Sequence, residues 1–130
     1  MTNKYMYFIA NWKMFGNVNS LNSINKVVNF LKRFKYKKFL KVVYCPPNTL
    51  IHSLSNSKSS QLISVGAQNC HQNLNYGAFT GSVNSQMLKD VGARYIIIGH
   101  SENRQNGETD KLINSKIKSA IRSGLKVIFL

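Results

Sequence analysis

Short, almost wholly apolar runs alternate with stretches of helical period from one end of this chain to the other, and that alternation constrains its fold more than any other feature. The runs are YMYFIA (Tyr5 to Ala10), FLKVVYC (Phe39 to Cys45), LISVGA (Leu62 to Ala67), YIIIG (Tyr95 to Gly99) and LKVIFL (Leu125 to Leu130). Continuous apolar runs of this length, rather than runs alternating with polar residues, are the mark of parallel strands covered on both faces. Between the first two, Leu21, Ile24, Val27, Val28, Leu31 and Phe34 recur at helical spacing and predict a helix begun near Asn19 or Ser20. Pro46 and Pro47 close the second strand, and a weaker helix is predicted around Leu50 to Leu54. A long polar loop runs from Gln68 to Gly81, followed by a short helix, SQMLKDVG, before the fourth strand. The last helix has Leu112, Ile113, Ile117, Ala120 and Ile121 as its apolar stripe. Thr109 or Asp110 caps it and Gly124 ends it.

The order is α/β: (βα)4 plus a fifth strand. Two architectures satisfy it. One is a complete five-stranded doubly wound domain; the other is the N-terminal half of a (β/α)8 barrel, whose full size is about 250 residues. Alternation alone does not separate them. With 130 residues, 43% of them hydrophobic, the chain can bury one core, so residues 1–130 are expected to form a single unit. The Asn- and Ser-rich stretches NSLNSIN and SLSNSKSS read as polar surface, not linkers.

Eighteen Lys and Arg stand against four Asp and Glu, for a net charge of +14. That balance favours an anionic partner, whether a nucleic acid, a membrane surface or a phosphorylated metabolite. The dense basic run, LKRFKYKKFLK from Leu31 to Lys41, has no RNA-binding aromatic motif or recognition helix beside it. It reads as a solvated face, and no nucleic-acid partner is expected. Cys45 and Cys70 share no CxxC spacing and have no His or Cys at a metal-ligand interval, which predicts reduced thiols in a cytoplasmic chain without metal. No apolar stretch approaches the roughly 20 residues of a membrane span, and the amino terminus does not fit a signal peptide, so no membrane association is expected.

In either architecture, chemistry gathers at the carboxyl ends of the strands. The first strand delivers ANWKMFGN there: Asn11 brings an amide that donates and accepts, and Lys13 a mobile ammonium suited to a phosphate or an enolate oxygen. The fourth delivers GHSENR. His100 and Glu102 follow its end directly, and in a parallel fold the carboxylate of Glu102 can reach and orient the ammonium of Lys13. On the doubly wound alternative, the same chain is a compact basic domain that binds an anion or nucleic acid and catalyses nothing.

NWKM after the first strand, GAFTG in the long loop, MLKDVGA, and IIGHSENR followed by GETD resemble the triosephosphate isomerase family, in the family's order and over the whole chain. The resemblance implies the barrel and an isomerase of glycolysis and gluconeogenesis, interconverting dihydroxyacetone phosphate and glyceraldehyde 3-phosphate through an enediolate without cofactor or metal. It implies that Asn11 and Lys13 bind substrate, that His100 polarises the carbonyl as a neutral imidazole, and that Glu102 contacts the lysine, the catalytic set being His100, Lys13 and Glu102. The neutral histidine is carried over from what is known of this enzyme rather than deduced from spacing. By the same resemblance, the loop from Asn69 to Gly81, with Thr80 near its tip, docks against the other subunit of a homodimer.

Two positions depart from the family pattern: Ser82 stands where Glu is usual after TG, and the segment between HSENR and GETD is one residue shorter. The family's glutamate base follows a sixth strand under a closing loop, and its phosphate-holding amides follow strands seven and eight. These 130 residues are therefore expected to be the N-terminal part of a complete isomerase, inactive by themselves.

Overall fold

The computed structural model describes residues 4–130. Five parallel strands form one sheet: β1 (Met6–Asn11), β2 (Leu40–Cys45), β3 (Ser64–Ala67), β4 (Tyr95–Ile98) and β5 (Lys126–Phe129). Helices α1 (Ile24–Arg33), α2 (Asn48–Ser55), α3 (Ser85–Asp90), α4 (Ser101–Gln105) and α5 (Asp110–Arg122) fill the connections. Pairing runs in register from Met6 opposite Leu40 to Asn11 opposite Cys45, and from Tyr95 opposite Lys126 to Ile98 opposite Phe129.

The strand order is β1-β2-β3-β4-β5, with each strand beside its neighbour in sequence. A doubly wound sheet requires a reversal of order at a switch point, so that its crossovers can place helices on both faces. Here there is none. Ile24 and Leu31 of α1, Ile51 and Leu54 of α2, Leu88 of α3 and Ile113 and Ala120 of α5 all join one cluster against Val65, Ala67, Ile96 and Ile98. The opposite face carries a separate, smaller cluster of Val43, Cys45, Tyr95 and Ile97, with Ile128 packed on it. Sequential strands, with one face sheathed by helices and the other curled inward, make half of a (β/α)8 barrel. The barrel expectation holds and the doubly wound architecture does not.

Most element boundaries fall within two residues of the sequence reading. The start of α1 is an exception. Asn17 and Ser20 form a reciprocal capping box, and residues Val18–Ser23 wind as a 3-10 turn before the α-helix opens at Ile24. The buried positions of α1 are Ile24, Val28 and Leu31, so the predicted stripe is correct at its centre and too long at its front. Thr109 is the cap of α5, its hydroxyl accepting from the amide of Leu112.

The edges of the sheet are its exposed apolar surface. Met6, Tyr7, Phe8 and Ile9 of β1 are each more than two-fifths exposed, as are Phe129 and Leu130 at β5. A groove of about 360 Å3 between β1, β2 and α1 is lined by Phe8, Val27, Phe30, Val42 and Tyr44. No helix among the described residues is long and apolar enough to cross a membrane.

Candidate active site

The carboxyl ends of β1, β3 and β4 open onto a depression of about 640 Å3, lined among others by Asn11, Lys13, Gln68, Asn69, His100 and Glu102. A second depression of about 400 Å3, lined by His52, Asp90 and Arg94, lies at the opposite end, where β3 and β4 begin. The basic run sits at the amino end of β2 as well, with Lys35 over the ring of Tyr36 and Lys38 over that of Phe39. Neither shares residues with the first depression. The chemistry-bearing motifs of β1 and β4 thus meet at one place.

Lys13 is the only non-glycine residue with positive φ among the described residues, at 53°. A left-handed conformation costs an ordinary L-residue roughly 1–2 kcal/mol, so the turn must be held from outside. It is held at both ends: the amide of Lys13 donates to Asn11 Oδ1 at 2.9 Å, and its carbonyl accepts from Gln68 Nε2 at 2.8 Å. Trp12 closes the turn on the other side, edge-on to Tyr44 with centroids 6.1 Å apart. A Cβ on Gly16, whose φ is 105°, would stand 2.9 Å from the Trp12 ring; glycine lets the chain leave the site there.

From this turn the Lys13 ammonium reaches Glu102 Oε1 at 2.9 Å, spanning the ends of β1 and β4. The pairing expected from sequence is present. Its hydrogen bond from Lys13, aided by the Lys13 charge, holds the Glu102 carboxyl below its usual range.

His100 caps α4, and its Nδ1 receives the amide of Glu102 at 3.2 Å. The other carboxylate oxygen of Glu102 lies 3.5 Å from the same nitrogen. These contacts ask opposite things of Nδ1, since an amide donor needs a lone pair and a carboxylate needs a proton. The amide contact is shorter and has hydrogen-bond geometry, whereas Lys13 takes Oε1 and leaves Oε2 beside the ring. Where Nδ1 accepts the amide, the ring's single proton is on Nε2.

Sequence reasoning missed the groups behind this line. Gln68, next after β3, is a second support of the Lys13 turn. Asn69 beside it accepts from Lys116 Nζ at 3.0 Å and from the amide of Cys70 at 2.9 Å, and donates to Glu108 Oε1 at 3.2 Å. Glu108 is ion-paired to Lys116, with side chains only 10% and 8% exposed. Thr109 caps α5, and Glu108 turns inward as the partner of a buried lysine. Glu108 lies eight residues before Lys116, just ahead of the cap of α5. Arg104 ties the same region together, donating from Nε to the Gly99 carbonyl and from Nη1 to Asp110 Oδ1, each at 2.8 Å.

Thr80 lies away from the depression, exposed in the turn Phe79 to Ser82, where the amide of Ser82 donates to the Phe79 carbonyl at 3.0 Å. Cys45 and Cys70 are free and buried, as read from their spacing, and burial pushes their thiols up to about 12 and about 11. Among the described residues, no three His, Cys, Asp or Glu side chains stand together as a metal site.

The family model described as "Triosephosphate isomerase" matches residues 6–129. A triosephosphate isomerase from Buchnera aphidicola subsp. Baizongia pistaciae is 44% identical over 117 residues, which is 88% of this chain and 46% of the relative. One from Alkaliphilus oremlandii is 40% identical over 124 residues, 92% of this chain and 47% of that one. Among solved structures, the crystal structure of triosephosphate isomerase from Bartonella henselae superposes with a TM-score of 0.85 at 33% identity, covering 95% of this chain and 50% of the other. The chain spans about half the length of the relatives it matches.

Proposed function

The chain belongs to the triosephosphate isomerase family, and from that premise we propose that it supplies one half of a triose-phosphate isomerase site, the half that binds substrate and polarises its carbonyl. The observation that carries this reading is the convergence of Lys13, Glu102 and His100 at the carboxyl ends of β1 and β4. Isomerising an α-hydroxy ketone phosphate to an aldehyde requires a proton to leave the carbon beside the carbonyl. The barrier falls when the negative charge developing on the carbonyl oxygen meets a positioned donor and a cation. His100 Nε2–H is the donor on this reading, and the Lys13 ammonium is the cation that meets the oxygen or the phosphate. Asn11, whose amide holds the Lys13 turn, borders the substrate, and Glu102 keeps the ammonium in place.

The family's glutamate base, closing loop and phosphate-holding amides belong, on this reading, to the barrel's other half. General-base catalysis is worth roughly 10² to 10⁴ in rate, so these 130 residues assayed by themselves are expected to be without measurable isomerase activity. For the complete protein we propose a cytoplasmic homodimer in which the exposed loop from Asn69 to Gly81, with Thr80 near its tip, docks on the other subunit. Sedimentation of the complete protein reads that contact. The basic run is proposed as a solvated face without a nucleic-acid partner.

The deciding experiment joins this chain to the C-terminal half of the Buchnera relative and measures turnover of dihydroxyacetone phosphate. Turnover in the joined barrel, reduced at least about 10²-fold by Lys13→Met or by His100→Gln, is the expected result. A joined barrel that folds cooperatively and turns nothing over would sink the reading.

A further inference from the structure

Gln68 sits at the centre of the site with no part in the chemistry proposed above, yet both its donors are spent there. Its Nε2 donates to the Lys13 carbonyl and to the Cys45 carbonyl, each at 2.8 Å. A primary amide has two N–H groups on that nitrogen, so both donors are used in tying the end of β3 to the ends of β2 and β1. The bond to Lys13 falls on the only described non-glycine residue in the left-handed region. Such a conformation persists only where the surroundings over-determine it. Asn11 holds the amide side of that residue, at 2.9 Å, and Gln68 holds the carbonyl side.

The reach of Gln68 is itself fixed. Asn69, its neighbour, is tied to Lys116, Glu108 and the amide of Cys70, so the backbone from which Gln68 extends is pinned to α5. We infer that Gln68 is a positioning residue: it holds the Lys13 backbone in its left-handed turn and so aims the Lys13 ammonium at Glu102 and into the depression. The aim matters for catalysis only if the isomerase reading holds, but the positioning can be tested without it.

The test is a carbon-detected NMR titration of the Glu102 carboxyl in the full chain, compared with Lys13→Met, Gln68→Met and Gln68→Glu. The methionine keeps the length of Gln68 and removes its donors, while the glutamate keeps the shape and turns acceptors toward two carbonyls. Lys13→Met is expected to move the Glu102 midpoint up toward the ordinary carboxylate value. Both Gln68 variants are expected to move it at least half as far in the same direction. In the unsubstituted chain, the Gln68 side-chain amide protons are expected to exchange much more slowly than those of an exposed glutamine, a measurement that depends on no variant folding.

A Glu102 midpoint that moves in Lys13→Met but stays in both Gln68 variants overturns the inference. So does a midpoint indifferent to all three substitutions, or Gln68 amide protons that exchange as freely as exposed ones. None of these readouts involves turnover. An inactive joined barrel with a Gln68-dependent titration would count against the isomerase reading and leave the positioning role standing.

Discussion

At the scale of single residues, the site separates into groups that the sequence displays and groups that it conceals. Asn11, Lys13, His100 and Glu102 were legible because they interrupt apolar strands at their carboxyl ends, where little else polar competes for attention. Gln68, Asn69 and Lys116 were not legible, because a glutamine in a polar loop and a lysine in a helix are ordinary until distance shows what they touch. The Lys13 and Glu102 pair makes a prediction with a definite sign. The folded Glu102 carboxyl is held below its unfolded value, so the pair's contribution is complete above the unfolded pKa, about 4.3, and is lost as pH falls through the lower folded value. The stability difference between this chain and Glu102→Gln should therefore be constant from neutrality down to that point and shrink below it. A difference that disappears near neutral pH would contradict the pairing. The Glu108 and Lys116 pair is a different case, since both side chains are nine-tenths buried. Removing one member strands a charge, at a cost of about 3–5 kcal/mol, whereas replacing both with apolar groups can be nearly neutral. Denaturant melts of Glu108→Ala, Lys116→Met and Glu108→Leu with Lys116→Met are expected to show the first variant far less stable than the double one. Equal losses in the two would mean that the ammonium is not desolvated.

At the scale of elements, the strands were readable from their apolar runs, which in β4 reflect complete burial of all four residues and in β1 do not, since Met6 to Ile9 stand exposed. The front of α1 was not readable, because Asn17 and Ser20 satisfy each other's backbone and favour a 3-10 turn over an early helix start. β3 shows a constraint that no pattern reveals. Leu62 and Ile63 extend its apolar run in sequence, yet the strand begins only at Ser64, because residues Lys58–Gln61 wind as a 3-10 turn just before it. Within the strand, a Cβ on Gly66 would stand 2.6 Å from Cys45 Sγ and 3.3 Å from Tyr95 Cβ. β3 therefore gives up a side chain so that its neighbours can fill the inner face of the sheet. Gly66→Ala should overpack that face and cost about 1–3 kcal/mol, with part of the loss recovered in Gly66→Ala with Cys45→Ala, where the opposing sulfur is gone. A neutral Gly66→Ala in a denaturant melt would show that β2 and β3 can separate more easily than their packing implies.

For the whole molecule, the order of elements was legible in the pattern of the sequence, and the barrel only through the family resemblance. Alternating strands and helices are common to barrels and doubly wound sheets, and only the strand order and the gathering of every long helix on one face distinguish them. That arrangement leaves β1 and β5 with apolar faces in solvent: Met6 is 59% exposed, Phe8 51% and Phe129 60%. Such edges drive association, but a net charge of +14 opposes it. Ionic strength decides which term wins, because repulsion reaches about 30 Å at 0.01 M salt and about 8 Å at 0.15 M, whereas apolar contact is not screened. The 130-residue chain by itself is thus expected to sediment as a monomer at low salt, to bind a hydrophobic dye there, and to associate as salt is added. Association through its few acidic groups would respond in the opposite sense and dissolve with salt. Joined to the other half of a barrel, the same residues should lose both the dye binding and the salt-driven association, because the edges are then paired. A dye-silent, cooperatively melting monomer at every ionic strength would mean that the exposed strands find cover within these 130 residues, against the geometry of β1 and β5.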